Sequence, residues 1–415
     1  MRRLLRCAAI SVLTAFLCTG CFSYKDMNRL LFYTMGVGDV KDGEFLFYGE
    51  AFKAYRGEGD KAGEEKRIIL FGKGDSLTHA VKDMRNSANY PIEYAGNKAF
   101  IISKALAEVG VGNILDIFDR DQKPSLRIYL MVYDGDVQEL MNTTMEDEHF
   151  MGLYLYELMN SQRNSLGIVV NQYYEFLENM KVGSSVNVVP LMRLTTIKKE
   201  SEGESAEGGE KGGGKGGSPQ SLTGSNPAEG GDQGATNQQK PAEQKYILFD
   251  GAAVFLDDKM KTTLSLEELE AYNLITSPMQ GGLINAQNPS KEGKRVGFTI
   301  LKNKYHHKIA VEDGRIKLRY KLDLRAVLLE AQEGIGADEE MVEQLKANLS
   351  QVVKDRITQL YYRMTEQGID IFNIKRQLEM SNLEPPADNF LKVTDFSVDI
   401  NVVLDGMGTL REAYY

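Results

Sequence analysis

Four histidines are the first residues that could do chemistry: His79, His149, His306 and His307. An imidazole can bind zinc or move a proton, but a zinc site needs three or four ligands held together. His306 and His307 are neighbours on a predicted strand, where adjacent side chains point to opposite faces, so they cannot share one metal ion. Because no His-x-x-x-His or cysteine pair completes a set, the sequence predicts no metal site.

Carboxylates and a glycine-rich turn suggest two further chemistries. Asp116, Asp119 and Asp121 could serve general acid–base catalysis, but charged helix ends and turns give the same pattern. Residues 72–76 read GKGDS, which lacks the four residues that a phosphate loop places before its Gly-Lys-Ser/Thr. This segment therefore predicts a turn followed by a helix whose N-cap is Ser76. With no Gly-x-Ser-x-Gly elbow either, the sequence predicts no catalytic residue and no cofactor, and favours binding or assembly.

One cysteine stands in a recognisable context at the start of the chain. Three arginines precede an apolar core at 7–17, which is too short to span a bilayer, and Cys21 follows it. This arrangement resembles a lipoprotein signal, in which the cysteine thiol is diacylated before cleavage. Residues 1–20 are therefore expected to be a signal peptide that is removed, leaving Cys21 as an N-acylated S-diacylglycerol cysteine. The alternative is an ordinary secretory signal with Cys21 unmodified.

The composition excludes several classes of protein. The 415 residues include 49 Lys and Arg against 59 Asp and Glu, a net charge of −10. Removing the expected signal would take away three arginines and no acid. Such a charge repels nucleic acid and anionic lipid surfaces, so no nucleic-acid partner is expected. The three cysteines would leave Cys21 alone in the mature chain, which excludes a disulfide scaffold and requires ordinary hydrophobic cores.

A glycine-rich segment divides the chain. Residues 196–245 have too few apolar side chains to offset the entropy of ordering, which predicts a flexible linker. Around it we expect an N-terminal α+β domain at 21–195, a small middle domain at 246–295 and a C-terminal α+β domain at 296–415. Strand and helix signals come in unequal runs, which favours three α+β domains with mixed or antiparallel sheets and packed helices.

Hydrophobic spacing and capping signals place the elements of these domains. In the first domain we predict strands at 44–55, 67–71, 98–103, 126–133 and 186–194, and helices after Ser76 and at 104–109, 113–118, 151–160 and 166–180. Gly110 is the expected C-cap of the second helix. Downstream we predict a strand at 246–256 interrupted at Asp250-Gly251, a helix from Ser265, half-buried strands at 316–324 and 396–404, and a helix at 338–367 about 45 Å long.

Several short segments, weak one by one, occur in the order and spacing of one family. They are 21–28, 74–80, 98–110, 114–121, 126–133, 249–256, 264–268, 368–372, 384–386 and 402–408. Together they resemble the Ger(x)C lipoproteins, the C subunits of bacterial spore germinant receptors.

The resemblance implies a three-domain, non-enzymatic α+β protein on the outer face of the inner spore membrane, or on the cell membrane of a spore former. It would assemble with membrane-embedded A- and B-type subunits into a receptor that senses nutrients and triggers germination. Cys21 is the one functional residue that the resemblance carries over, as the lipid attachment site. Two alternatives are a solute-binding lipoprotein of a membrane transporter and an extracellular hydrolase.

Overall fold

The structure is a computed structural model, and it describes residues 27–53, 66–120, 125–181, 185–198, 243–333, 335 and 338–405. These residues form two mixed β-sheets with packed helices, so the predicted α+β class is confirmed. The chain divides into two compact units, Met1–Arg193 with Ile247–Tyr415 and Leu194–Tyr246. The expected signal and residues 199–242 of the predicted linker lie outside the described residues. The domain boundaries predicted at 195, 245 and 295 stay predictions.

The first sheet is built from both sides of the glycine-rich segment. Its strands are β1 (Leu31–Lys41), β2 (Glu44–Lys53), β3 (Arg67–Gly74), β4 (Ile92–Glu93), β5 (Ala99–Ser103), β6 (Tyr129–Tyr133), β7 (Val186–Lys198), β8 (Glu243–Leu256) and β9 (Lys259–Leu264). Their order is β3-β2-β1-β5-β6-β7-β8-β9, with the short β4 beside β1. Strands β1, β5, β6 and β7 run parallel, whereas β1–β2–β3 and β8–β9 are antiparallel.

The helices begin largely where the capping signals predict. They are α1 (Leu77–Ser87), α2 (Lys104–Val109), α3 (Gly112–Arg120), α4 (Val137–Asn142), α5 (Met151–Ser161), α6 (Tyr173–Lys181), α7 (Leu266–Thr276), α8 (Glu339–Glu366) and α9 (Ile374–Met380). Ser76 caps α1 by accepting from the backbone N–H of His79, and Gly110 closes α2 at φ 132°. Ser265 and Glu268 form a capping box at the start of α7.

The helix predicted at 166–180 begins only at Tyr173, so its first half was wrong. The carbonyl of Asn171 accepts from the N–H of Leu130 at 2.9 Å, and the N–H of Tyr173 donates to Ile128 at 3.0 Å. These bonds tie the segment before α6 to β6 and its approach, while Leu166 is buried in the core. Contacts distant in sequence therefore override the helical spacing of the apolar residues.

The interruption expected at Asp250-Gly251 is absent, because β8 continues through both residues. Gly251 has φ 104°, and the next residue, Ala252, pairs with Leu264 of β9. A Cβ atom on Gly251 would lie 2.0 Å from the carbonyl oxygen of Leu264. Glycine therefore allows β8 to stay in the sheet at a point that no other residue fits easily.

The second sheet confirms the alternating pattern predicted near the end of the chain. Its strands, in spatial order, are β10 (Leu283–Gln287), β11 (Arg295–Glu312), β12 (Arg315–Ala331) and β13 (Thr394–Leu404). Only β12 and β13 run parallel. Ile316, Leu318, Leu322 and Leu324 of β12 are buried on one face. The 28 residues of α8 span about 42 Å and pack against β13 and α7, close to the prediction.

Two hydrophobic clusters share the strands β7 and β8. Val189 of β7 and Phe255 of β8 pack with α1, α3 and the first strands. Val188 and Val254, on the opposite faces of the same two strands, pack with α7, α8 and the second sheet. Strands buried on both faces in this way make β7 and β8 part of both cores.

Candidate functional site

The residue predicted to matter most, Cys21, lies outside the described residues, as do Cys7 and Cys18. Nothing in the structure therefore tests its lipidation. Among the helices that the structure describes, none is long and apolar enough to cross a membrane.

The structure separates the four histidines instead of bringing them together. His79 is exposed at the start of α1 beside Asp75, and His149 is exposed before α5. His307 packs against the ring of Tyr320 at 5.5 Å, whereas His306 lies opposite Lys321, so the two neighbours point to opposite faces of β11 as predicted. The residues that the structure describes contain no group of three ligands able to hold a metal ion.

The carboxylates considered for acid–base work that the structure describes, Asp116 and Asp119, are exposed surface groups of α3. Asp116 accepts from the guanidinium of Arg120 at 2.8 Å, one turn along α3, and both are exposed. Asp121 lies outside the described residues. The 72–76 segment is the end of β3 and the cap of α1, as predicted, and not a phosphate loop.

An apolar cavity of about 20 Å³ lies between α1, α3 and the first sheet. Phe47 and Phe100 form its floor, Met84 and Phe118 are among its helical walls, and Asn97 is one of its few polar neighbours. A cavity of this size holds about one water molecule, whereas small-molecule sites run from about 300 Å³ upward. The cavity is a packing feature and does not fit a nutrient molecule.

A buried ion pair joins the first sheet to the helices beside it. Glu50 of β2 is fully buried, and its carboxylate accepts from the Nε of Arg67 at 2.5 Å and from the Oγ1 of Thr34 at 2.7 Å. It also accepts from the backbone N–H groups of Met151 (2.9 Å) and Gly152 (2.8 Å). A carboxylate is favourable here because the first N–H groups of α5 have no partner within the helix.

Arg67 extends this cluster to a second helix. Its Nη1 donates to the carbonyl oxygen of Met141 at 2.9 Å and to that of Thr143 at 3.0 Å, at the end of α4. The helix dipole is negative at the C-terminal end, where the last carbonyl groups have no partner, so a cation is favourable there. The Glu50–Arg67 cluster therefore holds α4, α5 and the β2–β3 pair in one arrangement, which is a structural role.

A second group of ion pairs joins α7 to α8. Arg356 of α8 donates to Glu270 at 2.9 Å and to Glu267 at 2.9 Å. The Glu270 side chain is only 13% exposed, whereas that of Glu267 is 69% exposed. Burial raises the pKa of Glu270 from 4.5 to about 7, although the nearby Arg356 opposes the rise.

We expect this raised pKa to make stability depend on pH. The carboxyl of Glu270 binds its proton more tightly in the folded protein than in the unfolded chain, so protonation of Glu270 stabilises the fold. This contribution to the free energy of unfolding is full below about pH 4.5 and is lost as the pH rises through 7. Between about pH 5 and pH 8, the wild type should lose ~1–3 kcal/mol more unfolding free energy than Glu270→Gln. Urea unfolding at both pH values measures this. Glu267→Gln, which touches the same arginine from an exposed position, should keep the wild-type dependence, and identical profiles for wild type and Glu270→Gln would contradict the prediction.

Comparisons with known proteins identify the family. Residues 23–194 match the family described as "Spore germination protein N-terminal domain", and 250–408 match "Spore germination B3/ GerAC like, C-terminal". YfkR of Bacillus subtilis (strain 168), named for a proposed role in spore germination, is 22% identical over 164 residues, which are 38% of this chain and 43% of YfkR. The crystal structure of the GerBC protein shares the fold with a TM-score of 0.50 and 14% identity, over 89% of this chain and 96% of that one. The chain belongs to the Ger(x)C, or GerAC-like, family of spore germination proteins.

Proposed function

We propose that this protein is a lipid-anchored, non-catalytic subunit of a spore nutrient germinant receptor. The observation that carries the proposal is the match of two family domains, in order, over 23–194 and 250–408. The predicted signal at 1–20 and the cysteine that follows it supply the means of attachment. The residues that the structure describes agree with a role in assembly and signalling. Several of their acidic side chains cap helices or form ion pairs, and His79 and His307 contact Asp75 and Tyr320.

The proposed partners are the membrane-embedded A- and B-type receptor subunits, and the proposed place is the outer face of the inner spore membrane. The match to YfkR spans 43% of that protein's length, and the GerBC likeness concerns the fold, so both leave the partners as proposals. Co-purification from spore membranes provides the test. We expect polytopic receptor subunits to accompany this chain, and recovery of transporter components in their place would support a different function.

The alternative, a solute-binding lipoprotein of a transporter, is not favoured. Proteins of that class have two α/β lobes with parallel sheets around a ligand cleft. Here both sheets are mixed, with antiparallel strands in each. Titration calorimetry with amino acids, sugars and nucleosides separates the two functions, because micromolar binding by this chain alone would favour the alternative.

Replacing Cys21 with alanine tests the proposed anchor. We expect the variant to be lost from the membrane fraction and nutrient-triggered germination to be impaired, because two acyl chains are needed for stable attachment. Cys18→Ala is the matched control: it removes a thiol three residues earlier, inside the expected signal, and should leave the protein lipidated. Mass spectrometry of the mature amino terminus measures the modification directly. Full membrane retention of Cys21→Ala with normal germination would count against the anchor.

A further inference from the structure

The outer face of the second sheet carries a cluster of cations, which we name the basic face. It consists of Lys302, Lys304 and Lys308 of β11 with Arg319 and Lys321 of β12. All of these side chains are exposed. The opposite face of β12 is apolar and buried, so the sheet presents the cations on a surface that is held in place by the core.

Strand register concentrates the positive charge. Lys308 of β11 is paired with Arg319 of β12. Like charges directly opposite one another destabilise an antiparallel pair, because their side chains are close and face the same way. This arrangement lowers the stability of the free protein unless an anion lies against it.

Carboxylates of the same sheet offset part of this charge: Asp323 is paired in register with Lys304, and Asp399 of β13 with Lys321, which leaves five cations against two carboxylates on the basic face. Lys317 forms an ion pair with Asp395 of β13, and Arg325 forms one with Asp405 at 2.8 Å. In the part of the chain that the structure describes, no cation of the basic face has an ion-pair partner. The carboxylate of Asp323, which lies on this face, accepts from Asn401 at 3.1 Å.

We propose that the basic face docks on an anionic phospholipid surface. The chain as a whole carries a net charge of −10, so this local excess of cations is not a consequence of general basicity. Lysine predominates on the face, and lysine is depleted in protein–protein interfaces but binds phosphate as a flexible point charge. Where β11 and β12 pair, this face has no exposed Tyr, Phe or Trp side chain of the kind that anchors a protein partner. An anionic headgroup layer would provide the remaining countercharge over the whole face at once.

This docking does not require the acyl chains of Cys21, so it can be tested without them. The chain from residue 21 onward, produced without lipid, keeps every described element. We expect it to bind vesicles of phosphatidylcholine containing about a third phosphatidylglycerol, to bind pure phosphatidylcholine vesicles far more weakly, and to lose binding as salt screens the charges. Each cation removed should weaken partitioning about fivefold, so Lys308→Gln/Arg319→Gln/Lys321→Gln should weaken it about 100-fold. The same triple variant should unfold no more easily than the wild type, because it removes the repulsive pair of Lys308 and Arg319, whereas the exposed neighbours Lys321 and Asp399 contribute little.

A second triple variant provides the matched control. Lys261→Gln/Lys354→Gln/Lys392→Gln removes the same net charge from exposed lysines of β9, α8 and the turn before β13, and should lower vesicle binding much less. Equal losses in the two triple variants, or no binding to the anionic vesicles by the wild type, would overturn the proposal. Binding to an acidic polyglutamate peptide without binding to anionic vesicles would also overturn it, in favour of an acidic protein surface. Failure of the Cys21 anchor experiment leaves this result unaffected.

Discussion

Replacing Glu50 with alanine should lower the free energy of unfolding by about 3–5 kcal/mol. The substitution leaves the guanidinium of Arg67, whose side chain is 12% exposed, beside the space of the lost carboxylate. It also removes the acceptor for the first N–H groups of α5, at Met151 and Gly152. Removing one partner of a buried ion pair has an effect of this size because the other charge stays buried and uncompensated. Urea unfolding followed by circular dichroism measures the change.

A matched exposed pair connects the same two strands. Glu44 of β2 and Lys73 of β3 lie 3.7 Å apart, with side chains 55% and 58% exposed. Exposed pairs of this kind contribute little, so Glu44→Ala should cost less than ~1 kcal/mol. If Glu50→Ala and Glu44→Ala cost the same, the buried cluster does not hold the helices as described.

Replacing Gly251 with alanine should cost about 3 kcal/mol or more, the second large effect that we expect. The new Cβ would lie 2.0 Å from the carbonyl oxygen of Leu264, so β8 and β9 must move apart where Ala252 pairs with that residue. The backbone is also at φ 104°, which adds a further penalty for any residue with a side chain. Thermal unfolding of the purified variant measures the sum of the two effects.

Gly281→Ala separates the backbone penalty of a positive φ from the steric clash of the added Cβ atom. Gly281 has φ 92°, but a Cβ atom added there meets nothing within 4 Å. It should therefore show only the backbone penalty, about 1–2 kcal/mol. A Gly251→Ala cost no larger than that of Gly281→Ala would mean that β8 and β9 separate without loss.

Local signals predicted the elements well where they were complete. Ser76 and Ser265 each begin a helix and Gly110 ends one, as expected, because a cap depends on residues within one turn. The alternation at 316–324 predicted β12 because one face of that strand is buried and the other exposed.

Elements that depend on distant contacts were missed or misplaced. No strand was predicted at Leu31–Lys41, because β1 is buried on both faces over much of its length and shows no alternation. The segment from Leu166 to the start of α6 has helical spacing, yet its backbone bonds to β6 and the residues before it. Neither feature can be read from a single stretch of sequence.

The candidate sites also differ in whether they depend on local sequence or on distant contacts. The sequence identified Cys21 from its context alone, and that prediction remains one for experiment. The Glu50–Arg67 cluster went unnoticed because its members come from five separate segments. The net charge of −10 predicted repulsion from anionic lipid, whereas the proposed docking depends on strand register, which places Lys308 beside Arg319. Charge summed over a chain does not report how pairing distributes it over a surface.

The position of β7 and β8 has a consequence for how the polypeptide can be divided. Both strands contribute side chains to both cores, and residues 199–242 lie between the end of one and the start of the other. Two fragments expressed separately, one ending and the other starting within 199–242, would each lack half of a shared interior. They should consequently be insoluble alone and recover a native complex when produced together. The two matched regions, 23–194 and 250–408, would then behave as complementary pieces and not as independently folding modules.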